Sequence, residues 1–228
     1  MKRKKAHSSQ RADVAEMLRR VRDFRPAEGS FNYADRGRAV TESHQLYNES
    51  VQLTKVFPMD PDLSEACTEA HRLWYAAIER AYLPGFGEDV ARLQAGSAAG
   101  MEGAVSFLEA DPIFYRTGYI KEKLIRYIKR SMLTPGHSAR LQAVVLSVVD
   151  RRDGREFRAY CRLACKVDSP EFREQLNQRL TRAWPSARSL TEDLPALMLA
   201  AQKDRAVRRR ARWVLEALGQ NQPKEKRP

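Results

Sequence analysis

With 228 residues, 43% apolar and 31% charged, the chain is long enough for one large domain or two small ones and too rich in core residues to be disordered throughout. Its longest apolar run, Ala143–Val149, is interrupted by Ser147 and falls far short of the roughly 18 residues of a membrane helix, which excludes a membrane protein. The net charge of +12 points instead to a solvated surface facing an acidic partner.

Residues 1–40 read as a basic N-terminal extension. Lys2, Arg3, Lys4 and Lys5 carry the charge of a signal peptide's first region but lack the apolar segment that follows one, so an intracellular, cytoplasmic chain is expected. Residues 1–10 read as a disordered tail, Ala12–Phe24 as a short helix, and Pro26, Gly29 and Ser30 as a break. Phe24, Phe31 and Tyr33 are candidates for anchoring this extension to the body.

An acidic helical segment follows over 41–111. Leu46, Ser50, Leu53 and Phe57 recur at near-turn spacing after Thr41, and Pro58 ends that helix. The next runs from Leu63 to Leu83 with a broad apolar face of Ala66, Ala70, Leu73, Trp74, Ala77, Ile78 and Ala81, and the two are expected to pair antiparallel. Glu88–Ala110 reads as a helix broken at Gly96–Gly100, because each glycine costs a helix about 1 kcal/mol relative to alanine. Asp111 and Pro112 close the segment, so a boundary is placed near 112.

Six helices are predicted beyond it: Gly118–Met132, Pro135–Val149, Glu156–Lys166, Pro170–Arg182, Leu194–Gln202 and Arg205–Leu218. Thr117 and Thr134 stand at N-cap positions, Pro135 and Pro170 at first helical positions, and Gly219 where a C-terminal glycine belongs. The best strand candidate, Val144–Val149, has the flanks of a buried helix. Residues 220–228 read as a disordered tail.

The fold class is therefore all-α, built of antiparallel helix pairs. The stretch Asp204–Leu218, with Val207, Ala211, Val214, Leu215 and Leu218 on one face and a basic run between, resembles the second half of a HEAT-type repeat, in which an aspartate turn precedes such a helix. This resemblance covers about 15 residues and implies HEAT-like stacked repeats over 112–219. An irregular helical bundle is the alternative.

Charge is unevenly distributed. Residues 1–40 hold 11 Lys/Arg against 5 Asp/Glu, residues 41–111 hold 4 against 12, and residues 112–228 hold 26 against 12. Either an external polyanion meets the basic part, or the acidic segment packs against it and consumes some of the charge internally. Three basic clusters stand out. Lys123, Arg126, Lys129 and Arg130 share one helix; Arg151, Arg152, Arg155, Arg158 and Arg162 span the turn at Asp153 and Gly154; Arg205, Arg208, Arg209 and Arg212 fall three and four apart on the last helix. If the helices stack in register these clusters form one ridge able to track phosphates. Of the nearby aromatics, Tyr115, Tyr119 and Trp184 are expected to be exposed stackers for unpaired bases and Trp213 to be core.

No catalytic constellation emerges. His7, His44, His71 and His137 are widely separated, and the run Leu83–Gly87 has two glycines but neither the lysine nor the preceding strand of a phosphate loop. Cys67, Cys161 and Cys165 are expected to be free thiols; Cys161 and Cys165 have the spacing of half a metal site without a second pair. Asp60, Asp62, Glu65 and Glu69 are a candidate cation site that also reads as an acidic helix start. HEAT-like alkylpurine DNA glycosylases resemble the chain in length, charge and helicity, but neither Trp74 nor Trp184 is closely followed by the aspartate that family uses. The expectation is a non-catalytic scaffold without cofactor or metal that contacts nucleic-acid phosphates with little sequence specificity, an acidic protein being the alternative partner.

Overall fold

The computed structural model describes residues 2–25, 29–151, 154–181 and 194–220. Among them the chain forms ten α-helices and no strand: α1 Lys2–Asp23, α2 Tyr33–Val56, α3 Pro61–Arg80, α4 Phe86–Gln94, α5 Met101–Ala110, α6 Thr117–Ile128, α7 Pro135–Arg151, α8 Phe157–Ala164, α9 Pro170–Thr181 and α10 Leu194–Gln220, with a 3-10 turn at Ala98–Gly100. The fold is all-α. None of these helices is long and apolar enough to cross a membrane.

Three boundaries differ most from those predicted, the others by about four residues or fewer. α1 starts ten residues early, in the segment expected to be a disordered tail, since nothing from Lys2 to Asp23 is a proline or glycine and Lys, Arg, Ala and Gln are good helix formers. α2 starts at Tyr33, eight residues before Thr41, because Asn32 caps it: its Oδ1 accepts from the Ala34 N–H at 2.7 Å. The predicted pair at the C-terminus is one continuous helix, α10. Asp204 lies inside it, without the turn that the repeat resemblance implies, because Gln202, Lys203 and Asp204 include no breaker; Gly219 is likewise helical rather than a terminating residue. Of the predicted breaks and tails, residues 26–28 and 221–228 lie outside the described residues.

The chain divides into two compact units, one of Met1–Phe86 with Pro112–Thr117, the other of Gly87–Asp111 with Gly118–Pro228. The reversal of charge at 112 suggested a boundary there; residues 87–111 instead join the helices that follow.

In the first unit α2 and α3 pack along their lengths and α1 lies against both. Val40, early in α2, clusters with Trp74 and Ala77, late in α3, and with its C-cap Ala81, whereas Leu46 clusters with Ala70 and Leu73. The order is that of an antiparallel pair, as the short connection between the two requires. Met17 and Val21 of α1 complete the Leu46 cluster. Gly37 sits within α2 where a Cβ would come 3.0 Å from the Phe114 ring, so the glycine admits that side chain.

In the second unit α7 packs against α5, α8, α9 and α10, and α10 against α8 and α9. Leu141, Val144, Val145, Leu146, Val148 and Val149 are all buried, which is why the end of α7 looks strand-like in sequence: a helix covered on most sides loses its polar face. Thr134 caps α7 as predicted, its Oγ1 accepting from the His137 N–H at 3.1 Å. Thr117 differs: it is the first residue of α6, and its hydroxyl donates to the Phe114 carbonyl at 2.8 Å. α4 ends at Gln94 and is closed off by Gly96 (φ +85°), where the Gly96 N–H bonds Leu93 O and the Ser97 N–H bonds Arg92 O, the Schellman pattern that a left-handed glycine permits.

Acidic and basic segments meet inside this unit. Arg140 of α7 donates to both carboxylate oxygens of Glu102 (2.9 and 2.7 Å) and of Glu109 (2.7 and 2.6 Å) on α5. The Lys121 ammonium donates to Asp111 Oδ1 at 2.5 Å with both side chains removed from solvent. Part of the positive charge is therefore neutralised internally.

Candidate functional site

α6 buries the stripe Lys121, Leu124, Ile125 and Ile128, spaced i, i+3, i+4 and i+7. Its opposite face is consequently polar, and Lys123, Arg126, Lys129 and Arg130 are all exposed. α8 follows the same logic: Phe157, Ala159, Tyr160, Leu163 and Ala164 are buried, while Arg158 and Arg162 face solvent. The two helices line a groove of about 440 Å³ whose walls carry Arg126 from α6, Lys129 and Arg130 from the turn just past its end at Ile128, where the sequence predicted the helix to continue, and Arg162 from α8. Among the described residues Glu122 is the one acid on that lining, and Ile125 and Ala159 are its apolar part.

Toward the start of α6 the same seam holds an aromatic platform. The Arg155 guanidinium lies over the Tyr119 ring, 3.7 Å from its centroid, and its Nε is 3.4 Å from Glu122 Oε1. Tyr119 is 55% exposed, as the sequence suggested for a stacker. Lys123 projects over Tyr127, with 5.9 Å from Nζ to the ring centroid.

The other predicted cations divide by exposure. Arg151, at the end of α7, is exposed, and Arg152 lies outside the described residues. On α10 Arg205, Arg209 and Arg212 are exposed and Arg208 is half-buried. Among the described residues none of these lines the α6–α8 groove, so four of the predicted cations, Arg126, Lys129, Arg130 and Arg162, are brought together there. Arg209 lies 5.2 Å from the centroid of the Trp213 ring, which also approaches Phe157 at 5.9 Å. Trp213 is 42% exposed, contrary to its expected place in the core, because it falls outside the buried stripe of Val207, Ala211, Val214 and Leu218.

Arg210, in the same basic run, has another role. It is buried, and its Nε donates to Val149 O at 2.6 Å and its Nη2 to Asp150 O at 3.3 Å, capping the last turn of α7. Sequence reasoning left it unassigned, although its spacing from Val207, Ala211 and Val214 places it next to the apolar stripe. Lys121 was missed likewise, and its place in the buried stripe of α6 was the available signal. Arg173 pairs with Asp168 at 2.6 Å and Arg179 with Asp150 at 2.7 Å, so these two cations are each matched by an acid.

The remaining candidates have local structural roles. Asp60 caps α3 through the Leu63 N–H at 3.0 Å, and Glu69 forms a two-pronged pair with Arg72 that holds its carboxyl below the usual carboxylate range. Burial, reinforced by neighbouring Cys165, pushes the Cys161 thiol up to about 11. Tyr115, predicted as an exposed stacker, is half-buried in a cluster with His44 and Trp74, its ring centroid 5.0 Å from each. Trp184 lies outside the described residues. Among the described residues no group of three His, Cys, Asp or Glu side chains has the geometry to hold a metal ion. What the groove can do chemically is bind anions: several guanidinium groups and an ammonium converge on a half-enclosed space with a small apolar floor. Comparison with family models, with curated proteins and with solved structures gave no match.

Proposed function

We propose that the chain is a non-catalytic helical binding module whose basic surface contacts nucleic-acid phosphates with little sequence specificity. The observation that carries this reading is the α6–α8 groove, where Arg126, Lys129, Arg130 and Arg162 converge and, among the described residues, a single acid, Glu122, opposes them. Lys123, Arg151, Arg205, Arg209 and Arg212 extend the exposed positive surface of the same unit. Point charges on long side chains recognise the backbone and carry no information about base edges. Each phosphate neutralised releases condensed counterions, so four contacts on a single strand correspond to a log–log salt slope of about −3.

The test is a salt titration of binding to labelled single-stranded and duplex DNA and RNA. The groove variant Arg126→Glu/Arg130→Glu/Arg162→Glu serves as control, with helicity checked by circular dichroism. A steep slope that the variant loses supports the reading. Absence of binding at low salt removes it and turns the same cations toward an acidic protein, since the groove offers nothing to distinguish a carboxylate from a phosphate except charge density.

A further inference from the structure

The groove and the Tyr119–Arg155 platform lie along one seam. Tyr119, Glu122 and Arg126 are spaced i, i+3 and i+7 on one face of α6, and Lys129, directly after its end, follows at i+10; Arg155 and Arg162 flank the buried start of α8. From Tyr119 to Lys129 the helix rises about 15 Å. The seam thus offers a flat π surface at one end and a cluster of phosphate-sized positive charges at the other.

We infer that this seam takes single-stranded nucleic acid in preference to duplex, with an unpaired base stacked on the Tyr119–Arg155 pair and the adjoining phosphates drawn into the groove. The inference rests on the proposed phosphate-binding reading and adds the strand form to it. Three observations carry it. The positive charge lines a concave space of about 440 Å³, the scale of a pocket for one small ligand, which a flexible strand can enter and the regular surface of a duplex cannot. Tyr119 is more than half exposed, and Arg155, whose side chain is 55% exposed, is steadied beside it by Glu122. A planar guanidinium and a tyrosine ring are both surfaces on which an unstacked base rests, and a base inside a duplex has no free face to offer them.

The experiment measures fluorescence anisotropy with labelled oligothymidylate and oligouridylate and with blunt duplexes of equal length, at one low salt concentration. The proteins are the full chain, Tyr119→Ala, Tyr119→Phe and the groove variant. The expected result is tighter binding of the strands than of the duplex and a loss of about 5- to 150-fold for strands in Tyr119→Ala, the range for one base–aromatic contact. Tyr119→Phe keeps the ring and should bind strands as the parent does, and duplex affinity should be the same in all three. Equal or tighter duplex binding overturns the inference, as does an unchanged strand affinity in Tyr119→Ala. If in either case the groove variant still abolishes binding, the phosphate reading stands and only the strand preference falls. No binding of any probe by the parent chain overturns both.

Discussion

Replacing Lys121 by methionine tests the electrostatics of the second unit at its most sensitive point. Lys121 is fully buried and its ammonium sits 2.5 Å from Asp111 Oδ1, whose side chain is 5% exposed. Methionine fills nearly the same volume but removes the cation, leaving a buried carboxylate without its principal counter-charge. Breaking one side of such a pair costs about 3–5 kcal/mol, whereas replacing both charges with neutral groups of similar shape is close to neutral. With a urea slope of about 2 kcal/mol/M, the single variant should lower the unfolding midpoint by about 1.5–2.5 M. The partner change should be Asp111→Asn, because residue 111 has φ +43° at the C-terminus of α5 and asparagine tolerates that left-handed backbone. The double variant should recover most of the loss, which a double-mutant cycle in urea, followed by circular dichroism, will quantify. A shift under about 0.5 kcal/mol for Lys121→Met, or a double variant less stable than the single, would refute the claim that these two charges hold each other in the interior.

Arg210→Met should destabilise the protein by about 2–4 kcal/mol, since two charge-assisted hydrogen bonds to the end of α7 are lost, while Arg209→Met next to it, which loses an exposed contact with the Trp213 ring, should cost no more than about 1 kcal/mol; equal effects in thermal melts would contradict the different roles assigned to the two. Cys161, with its thiol pushed up to about 11 by burial, should alkylate slowly at pH 8. Its thiolate fraction there is on the order of 100-fold below that of an ordinary thiol, and its rate should become ordinary in denaturant, as mass spectrometry of iodoacetamide-treated protein can show. Arg140 holds the Glu102 carboxyl below its ordinary 4.5, so the pair contributes stability above that pH and loses it as pH falls through the lowered value. Arg140→Gln should therefore differ most from the parent at neutral pH and least in acid, and a constant difference in urea midpoint from pH 7 to pH 3 would show that the ion pairs are not responsible. Gly100→Ala should destabilise the turn after α4, because a Cβ there would fall 2.0 Å from Asp89 O; a melting temperature equal to the parent's would contradict that close approach.

Much of the helical architecture is legible in the sequence because its causes are local. The apolar face of α3, the break between α4 and α5, the cap at Thr134 and the exposed cations of α6 all follow from side-chain spacing at 3.6 residues per turn and from the behaviour of glycine, threonine and proline within a few positions. The reading failed where a local signal was absent or overlooked: nothing around Asp204 breaks a helix, so the predicted division into two helices did not appear, and the cap at Asn32 began α2 earlier than the apolar pattern did.

What only the tertiary structure decided is which charge meets which. Arg209 and Arg210 are neighbours in one basic run, yet one faces solvent and the other reaches carbonyls 60 and 61 residues back in the chain. Asp111 and Lys121 look like ordinary surface residues until the turn between α5 and α6 brings them together in the interior. The groove is of the same kind, since it exists because α8 lies beside α6 and Arg162 stands across from Arg126, Lys129 and Arg130. Sequence periodicity fixes which face of a helix is polar; the partner across from that face is set by packing between segments distant in sequence, and no local pattern encodes it.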